Sequence, residues 1–195
     1  MSNICFTTYK VIGSKNSVAK LYEIIKTLDS RKTPLLENNW YNPKLWLGCL
    51  VKELGGKPDK VYCRGTITYY EMDNNVLTIN TETAWREMRE TRYFIEACFP
   101  GLKIYYRAEE EGEEQFYTND VCGLFFKERF YLEGIDVNKY FESIIEVAEY
   151  ARQIVGHKVE ADYNIISNAL TTYVKEYETE DETYYHLHKF NVLKD

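Results

Sequence analysis

The apolar residues of this chain change period in a fixed order over its first 118 residues, and few folds accept that order. Residues 5–12, Cys-Phe-Thr-Thr-Tyr-Lys-Val-Ile, are β-branched and aromatic and end at Gly13, which predicts a strand. Val18, Leu21, Tyr22, Ile25 and Leu28 follow at helical spacing behind the capping side chains of 14–17, which predicts a helix over 17–29. Strands are expected at 61–72 and 76–82, joined at Asp73-Asn74-Asn75, residues that tolerate positive φ. A second major helix runs from Trp85 to Cys98, with Trp85, Met88, Ile95 and Cys98 on one face, and stops at Phe99-Pro100-Gly101. Strands at 102–109 and 114–118 come next. The βαββαβ order predicts an α+β fold, a ferredoxin-like antiparallel sheet with helices on one face. Pro43, the stripe Leu45, Trp46, Cys49, Leu50, Leu54 and the pair Gly55-Gly56 mark an inserted helix at 43–54.

Beyond residue 118 a third hairpin arm is expected at Cys122–Tyr131 and one long helix at 136–155, on the stripe Val137, Phe141, Ile144, Ile145, Ala148, Ala151, Val155. A short helix at Ala161–Ala169 and a hairpin of 170–178 with 183–192 across Thr179-Glu180-Asp181-Glu182 complete the reading. The expected division is a core over 1–132 and a C-terminal helix-and-hairpin extension over 133–195, packed on that core as one structural unit.

Composition and charge narrow the function classes. Of 195 residues, 15% are aromatic and only four are proline, which excludes a collagen-like or largely disordered chain. No apolar run reaches the ~18 residues a membrane helix needs, and no basic-then-apolar leader opens the sequence, so a cytoplasmic protein without a membrane partner is expected. Cys5, Cys49, Cys63, Cys98 and Cys122 form no C-x-x-C pair and read as reduced thiols. Residues 1–132 carry 18 Lys/Arg and 18 Asp/Glu, whereas 133–195 carry 6 and 13. Phosphate binding requires cations, so the acidic C-terminal third, with Tyr163, Tyr173, Tyr177, Tyr184 and Tyr185, suits a basic protein partner, toward which it would mimic nucleic acid in its display of charge.

Sequence motifs for chemistry are sparse. There is no Gly-x-Ser-x-Gly, no phosphate-binding glycine loop and no EF-hand loop, so no catalytic residue and no cofactor is assigned. His186 and His188 share one side of a strand and are the weak candidates for a metal, with His157 or a carboxylate as a further ligand. The residues singled out for interaction are Arg86, Arg89 and Tyr93 on one helix face, Glu110, Glu111 and Glu113 at a hairpin tip, and Tyr184. An alternative is single-stranded nucleic-acid binding, with Tyr9, Tyr69, Tyr70, Tyr105 and Tyr106 as stacking platforms and Lys10, Arg64, Arg86, Arg89 and Arg92 as cations. An unrecognised enzyme is the third reading, and oligomeric state is left open.

Three segments carry a family resemblance: Thr83-Ala84-Trp85, Phe99-Pro100-Gly101-Leu102, and Tyr105 to Gly112 with its Tyr-x-x-Glu-x-Gly hairpin. Over about residues 3–130 the chain resembles the YubB-type ferredoxin-like domain family, uncharacterised proteins of plasmids, phages and other mobile elements. It departs from the family at Arg86-Glu87-Met88, where prolines are common. The resemblance implies the ferredoxin-like fold and a mobile-element origin, with a non-enzymatic interaction or regulatory role, and no catalytic residues. In folding terms, Trp85 is expected to seal the seam between sheet and helix, Pro100 to end the helix, and Gly112 to turn the hairpin with positive φ.

Overall fold

The computed structural model of the protein describes residues 3–39, 42–134, 136–177 and 184–194. The chain divides into two compact units, one up to Asn119 and one from Asp120 to Lys194.

The first unit has the α+β, ferredoxin-like order. Strand β1 (Ile4–Ile12) leads to helix α1 (Lys15–Ser30), then a 3₁₀ turn (Pro43–Leu45) and helix α2 (Leu47–Glu53). Strands β2 (Gly65–Asp73) and β3 (Val76–Ala84), helix α3 (Arg89–Cys98), and strands β4 (Lys103–Glu110) and β5 (Gln115–Thr118) follow. The strands lie in the order β2-β3-β1-β4-β5, and each neighbouring pair is antiparallel. Local chemistry explains the elements. The Ser14 hydroxyl accepts from the Ser17 N–H at 3.1 Å and starts α1. Asn74 and Asn75, at φ 45° and 67°, make the primed turn that suits the twist of β2 and β3.

All three helices cover one face of this sheet. Val18, Leu21, Ile25 and Leu28 of α1 are buried with Leu50 and Val51 of α2, Ile95 of α3, and Val11, Ile67, Leu77, Ile79 and Ile104 of the strands. Each such side chain contributes about 1.5–3 kcal/mol relative to exposure. Tyr70 joins this face, its ring 5.8 Å from that of Tyr22 and its hydroxyl donating to Asp29 at 3.0 Å.

Four local expectations are corrected here. β2 begins at Gly65 rather than 61, and α3 begins at Arg89 rather than near Trp85, because β3 stays paired with β1 through Ala84. Trp85 sits at φ 72° and is 43% exposed, so it seals no seam. In the β4–β5 turn the positive φ, 52°, falls on Glu114 and not on Gly112. Gly112 is closely approached: a Cβ there would lie 2.4 Å from Asn3 Nδ2, so the Asn3 side chain would have to shift.

The second unit contains β6 (Phe130–Gly134), β7 (Val137–Phe141), α4 (Ile144–Val155), α5 (Tyr163–Tyr177) and β8 (Tyr185–Lys189). Its sheet runs β7-β6-β8, antiparallel throughout, with Leu132 opposite both Lys139 and Leu187. Leu132, Val137, Phe141, Leu187 and the buried sides of α4 and α5 (Val147, Ala151, Ile166, Leu170) form its core.

The C-terminal expectations fare worse. The long helix at 136–155 is a strand followed by a helix. Val137 and Phe141 stand four apart, which fits a helical stripe, yet they also bracket a five-residue strand. The break was written in Ser143 and Glu146: the Ser143 hydroxyl accepts the Glu146 N–H at 3.3 Å, and Glu146 accepts the Glu142 N–H at 3.0 Å. Gly156, at φ 77°, closes α4 as expected. Residues 122–129 are a loop rather than a hairpin arm, because Asp120 accepts three backbone N–H groups there. Residues 170–177 continue α5, and β8 pairs with β6 instead. The turn expected at 179–182 lies outside the described residues. Because β6 pairs with β7 and β8, the break between units falls after Asn119 rather than after 132. Among the described residues no helix is long and apolar enough to cross a membrane.

Candidate functional site

Two arrangements in the first unit hold chemistry-bearing side chains, one buried and one exposed. The buried one joins β1 to the start of α3. Arg92 is 2% exposed, and its Nε donates to Glu87 Oε1 at 2.9 Å. The Tyr9 hydroxyl donates to the same oxygen at 3.3 Å. The guanidinium lies 4.6 Å from the Tyr93 ring centroid and 4.9 Å from that of Tyr106. Glu96 stands 3.9 Å away on the next turn of α3. Burial, with the Glu87 charge adding to it, holds the Tyr9 phenol well above its ordinary value. Burial likewise pushes the Cys5 thiol up to about 11. Neither group is a base or nucleophile near neutral pH. The adjoining cavity, about 30 Å³, is on the scale of bound water and far smaller than a substrate pocket. This cluster is a satisfied interior ion pair that fixes α3 on the sheet. The sequence contained a signal for it: Arg92 falls between Met88 and Ile95 on the apolar stripe.

The exposed arrangement lies where β1 begins and β3 ends. Ile4 and Phe6 project from the sheet face opposite the helices and are 50% and 52% exposed. Ile4 pairs with Ala84, and the Trp85 N–H donates to the Asn3 carbonyl at 2.9 Å, which puts the half-exposed indole at the same end. A bulky side chain at positive φ is strained by about 1–3 kcal/mol and persists only where its surroundings impose it. Here the surroundings are the Asn3 bond, the Ala84 N–H to the Arg64 carbonyl at 2.9 Å, and the Thr83 hydroxyl to the Arg86 carbonyl at 2.7 Å.

Carboxylates frame this end. Phe6 stands between Glu82 on β3 and Glu109 on β4. Glu109 is paired with Arg107 at 2.9 Å. The contact of Gly112 with Asn3 brings the β4–β5 turn alongside, where Glu111, Glu113 and Glu114 are exposed. Glu110 is not part of that solvated tip: it is 1% exposed and accepts the Gly112 and Glu113 N–H groups at 2.9 Å, so it shapes the turn.

The remaining sequence candidates separate. Arg86 is exposed, pairs with Glu90 at 3.2 Å and lies over the Tyr62 ring. Arg89 and Tyr93 are exposed on α3. Of the five proposed stacking rings, Tyr9, Tyr70 and Tyr106 lie on the helix-covered face, leaving Tyr69 and Tyr105. Arg92, proposed as a cation for nucleic acid, is the buried member of the ion pair.

In the second unit His186 and His188 do share one side of β8, with ring centroids 6.1 Å apart. His188 is 5% exposed and its Nε2 is 3.4 Å from Glu133 Oε2; the Tyr184 hydroxyl donates to the other Glu133 oxygen at 3.1 Å. His157 is on a different segment, its Nδ1 beside the Val155 carbonyl. Among the described residues no group of three or more His, Cys, Asp or Glu is placed to hold a metal ion. The rings of Tyr131, Tyr140, His188 and Phe190 stack along this sheet face, an arrangement sequence spacing gave no sign of.

Comparison with family models, with curated proteins and with solved structures finds no match to this chain.

Proposed function

We propose that this protein is a non-enzymatic interaction or regulatory module, cytoplasmic, of the YubB type and of mobile-element origin. The observation that carries the reading is the half-exposed apolar end of the first sheet, where Ile4 and Phe6 project from the uncovered face and Trp85 stands half-exposed at positive φ. Scattered single apolar residues on a surface need no explanation, but a grouped set containing a strained tryptophan does. The thiols and phenols with raised values in this unit, Cys5, Tyr9, Cys63 and Tyr70 among them, are shifted away from reactivity, which supports binding over catalysis.

A second reading keeps single-stranded nucleic acid as the ligand. It is favoured by Lys10, Tyr105, Lys103 and Arg107, which the register of β1 and β4 places on the uncovered sheet face with Phe6. Against it, Arg107 is paired with Glu109 and Lys10 is bonded to Thr78.

One experiment separates the two. Nuclease-treated lysate of the source cells is passed over immobilised wild-type protein and over Phe6→Ser, and labelled oligonucleotides are titrated at two salt concentrations. The interaction reading expects a retained protein that Phe6→Ser loses. Steeply salt-dependent oligonucleotide binding with no Phe6-dependent protein would replace it with the second reading.

A further inference from the structure

We infer that the apolar end of the first sheet docks a cationic amphipathic polypeptide segment of a partner protein. The inference rests on the interaction reading above and names the chemistry of its occupant. Ile4 and Phe6 supply the apolar contact on the uncovered face, and half-exposed Trp85, whose N–H bonds the Asn3 carbonyl, adds a large apolar side chain at the same end of the sheet. The charge around them is predominantly negative. Glu82 borders Phe6 on β3, and Glu111, Glu113 and Glu114 project from the turn seated against Asn3. Of the nearby cations, Arg107 is paired with Glu109 and Arg86 with Glu90, and exposed Arg64 stands beside Ala84. Glu110 inside the turn fixes its shape through two backbone bonds, so the outward carboxylates are positioned before any partner arrives.

That rim selects among occupants. A phosphate backbone or an anionic membrane meets like charge, whereas lysines flanking an apolar stripe meet opposite charge while the stripe covers Phe6 and Trp85. A second copy of this chain would bring the same carboxylates face to face across a two-fold axis.

The test uses the full chain and a fluorescein-labelled Leu/Lys amphipathic peptide, read by anisotropy. The expected result is saturable binding weakened about tenfold by Phe6→Ser or Trp85→Gly. Glu82→Gln with Glu113→Gln is expected to weaken it about two- to fivefold and flatten its salt dependence. Glu149→Gln with Glu160→Gln, exposed acids of the second unit, is expected to leave it unchanged. Far-ultraviolet circular dichroism of each variant guards against unfolding, and Glu82→Gln with Glu113→Gln leaves the apolar anchors in place. Equal binding of a Leu/Glu peptide, equal loss with the distant acid pair, Phe6-dependent binding to phosphatidylcholine vesicles, or Phe6-dependent self-association by sedimentation would each overturn the assignment. Failure of the peptide while Phe6-dependent capture from lysate persists overturns the cationic partner alone; failure of both overturns the interaction module itself.

Discussion

The two units differ in how their strands find partners. In the first, β2 and β3 are joined by a two-residue turn, and the helices that cover the sheet follow the strands they pack on, so local patterns and final contacts agree. In the second, β6 is central but its partner β8 lies beyond two helices, and only β7 is a local neighbour. The first unit also buries an ion pair, Arg92 with Glu87, between sheet and helix. The second anchors its entry loop with a single carboxylate, Asp120, under backbone N–H groups. Nearest-neighbour topology is readable from periodicity; a strand whose partner is distant must be inferred from side chains that point elsewhere.

The largest effect is expected from breaking the interior pair. Arg92→Ala leaves Glu87 buried without its cation and is expected to destabilise the first unit by about 3–5 kcal/mol in denaturant unfolding. Glu87→Gln with Arg92→Met is expected to cost clearly less, since no unpaired charge remains. A double variant as damaging as the single one would contradict the role given to the pair.

In the second unit Leu132→Ala is expected to cost about 2–5 kcal/mol, because the side chain is fully buried at the centre of β7-β6-β8. Asp120→Asn comes next, at about 1–3 kcal/mol near neutral pH. Burial raises the Asp120 carboxyl, but bonds from Phe125, Phe126 and Leu124 and the Arg129 charge outweigh it, and the net value is lowered. A lowered folded value gives stability that is present above the unfolded carboxylate range and lost as pH falls through the folded value. The gap between wild type and Asp120→Asn, measured by urea unfolding, is therefore expected to close below about pH 4. A gap independent of pH would remove the charge from the account.

The thiols give the opposite sign. Burial raises Cys5 and Cys63 to about 11 from an ordinary value of 9.0. Raised values contribute stability that is full below the ordinary value and lost as pH rises toward the folded one, so the first unit is expected to weaken between pH 9 and 11. Near neutral pH, Ellman's reagent is expected to modify Cys122, the exposed thiol, at once and Cys5, Cys49 and Cys63 only on unfolding. The smallest stability effect belongs to Trp85→Gly. It removes a large side chain yet relieves positive φ, and is expected to leave stability unchanged or raise it by up to about 1 kcal/mol. A loss beyond 1 kcal/mol would mean that the indole packs rather than waits for a ligand.

Much of the first unit was legible in the sequence. The stripe Val18, Leu21, Ile25, Leu28 and the turn Asn74-Asn75 point to a single structure each, and the structure contains both. The candidate site was legible only in pieces. Glu111 and Glu113 were singled out, but Glu110 was grouped with them, because sequence cannot distinguish a solvated acid from one folded back on its own turn. Trp85 stood out for its size and was expected inside; its exposure follows from a left-handed backbone that no side-chain pattern encodes. In the second unit Val137 and Phe141 satisfied two periods at once, and only the Ser143–Glu146 cap distinguished them.

The account stands most directly on where a ligand touches the molecule. Amide chemical-shift mapping of the labelled protein with the Leu/Lys peptide is expected to perturb residues 3–8, 82–86 and 109–114 together. Shifts gathered instead on the stacked rings of Tyr131, Tyr140 and His188, or spread without focus over the acidic surface, would contradict it.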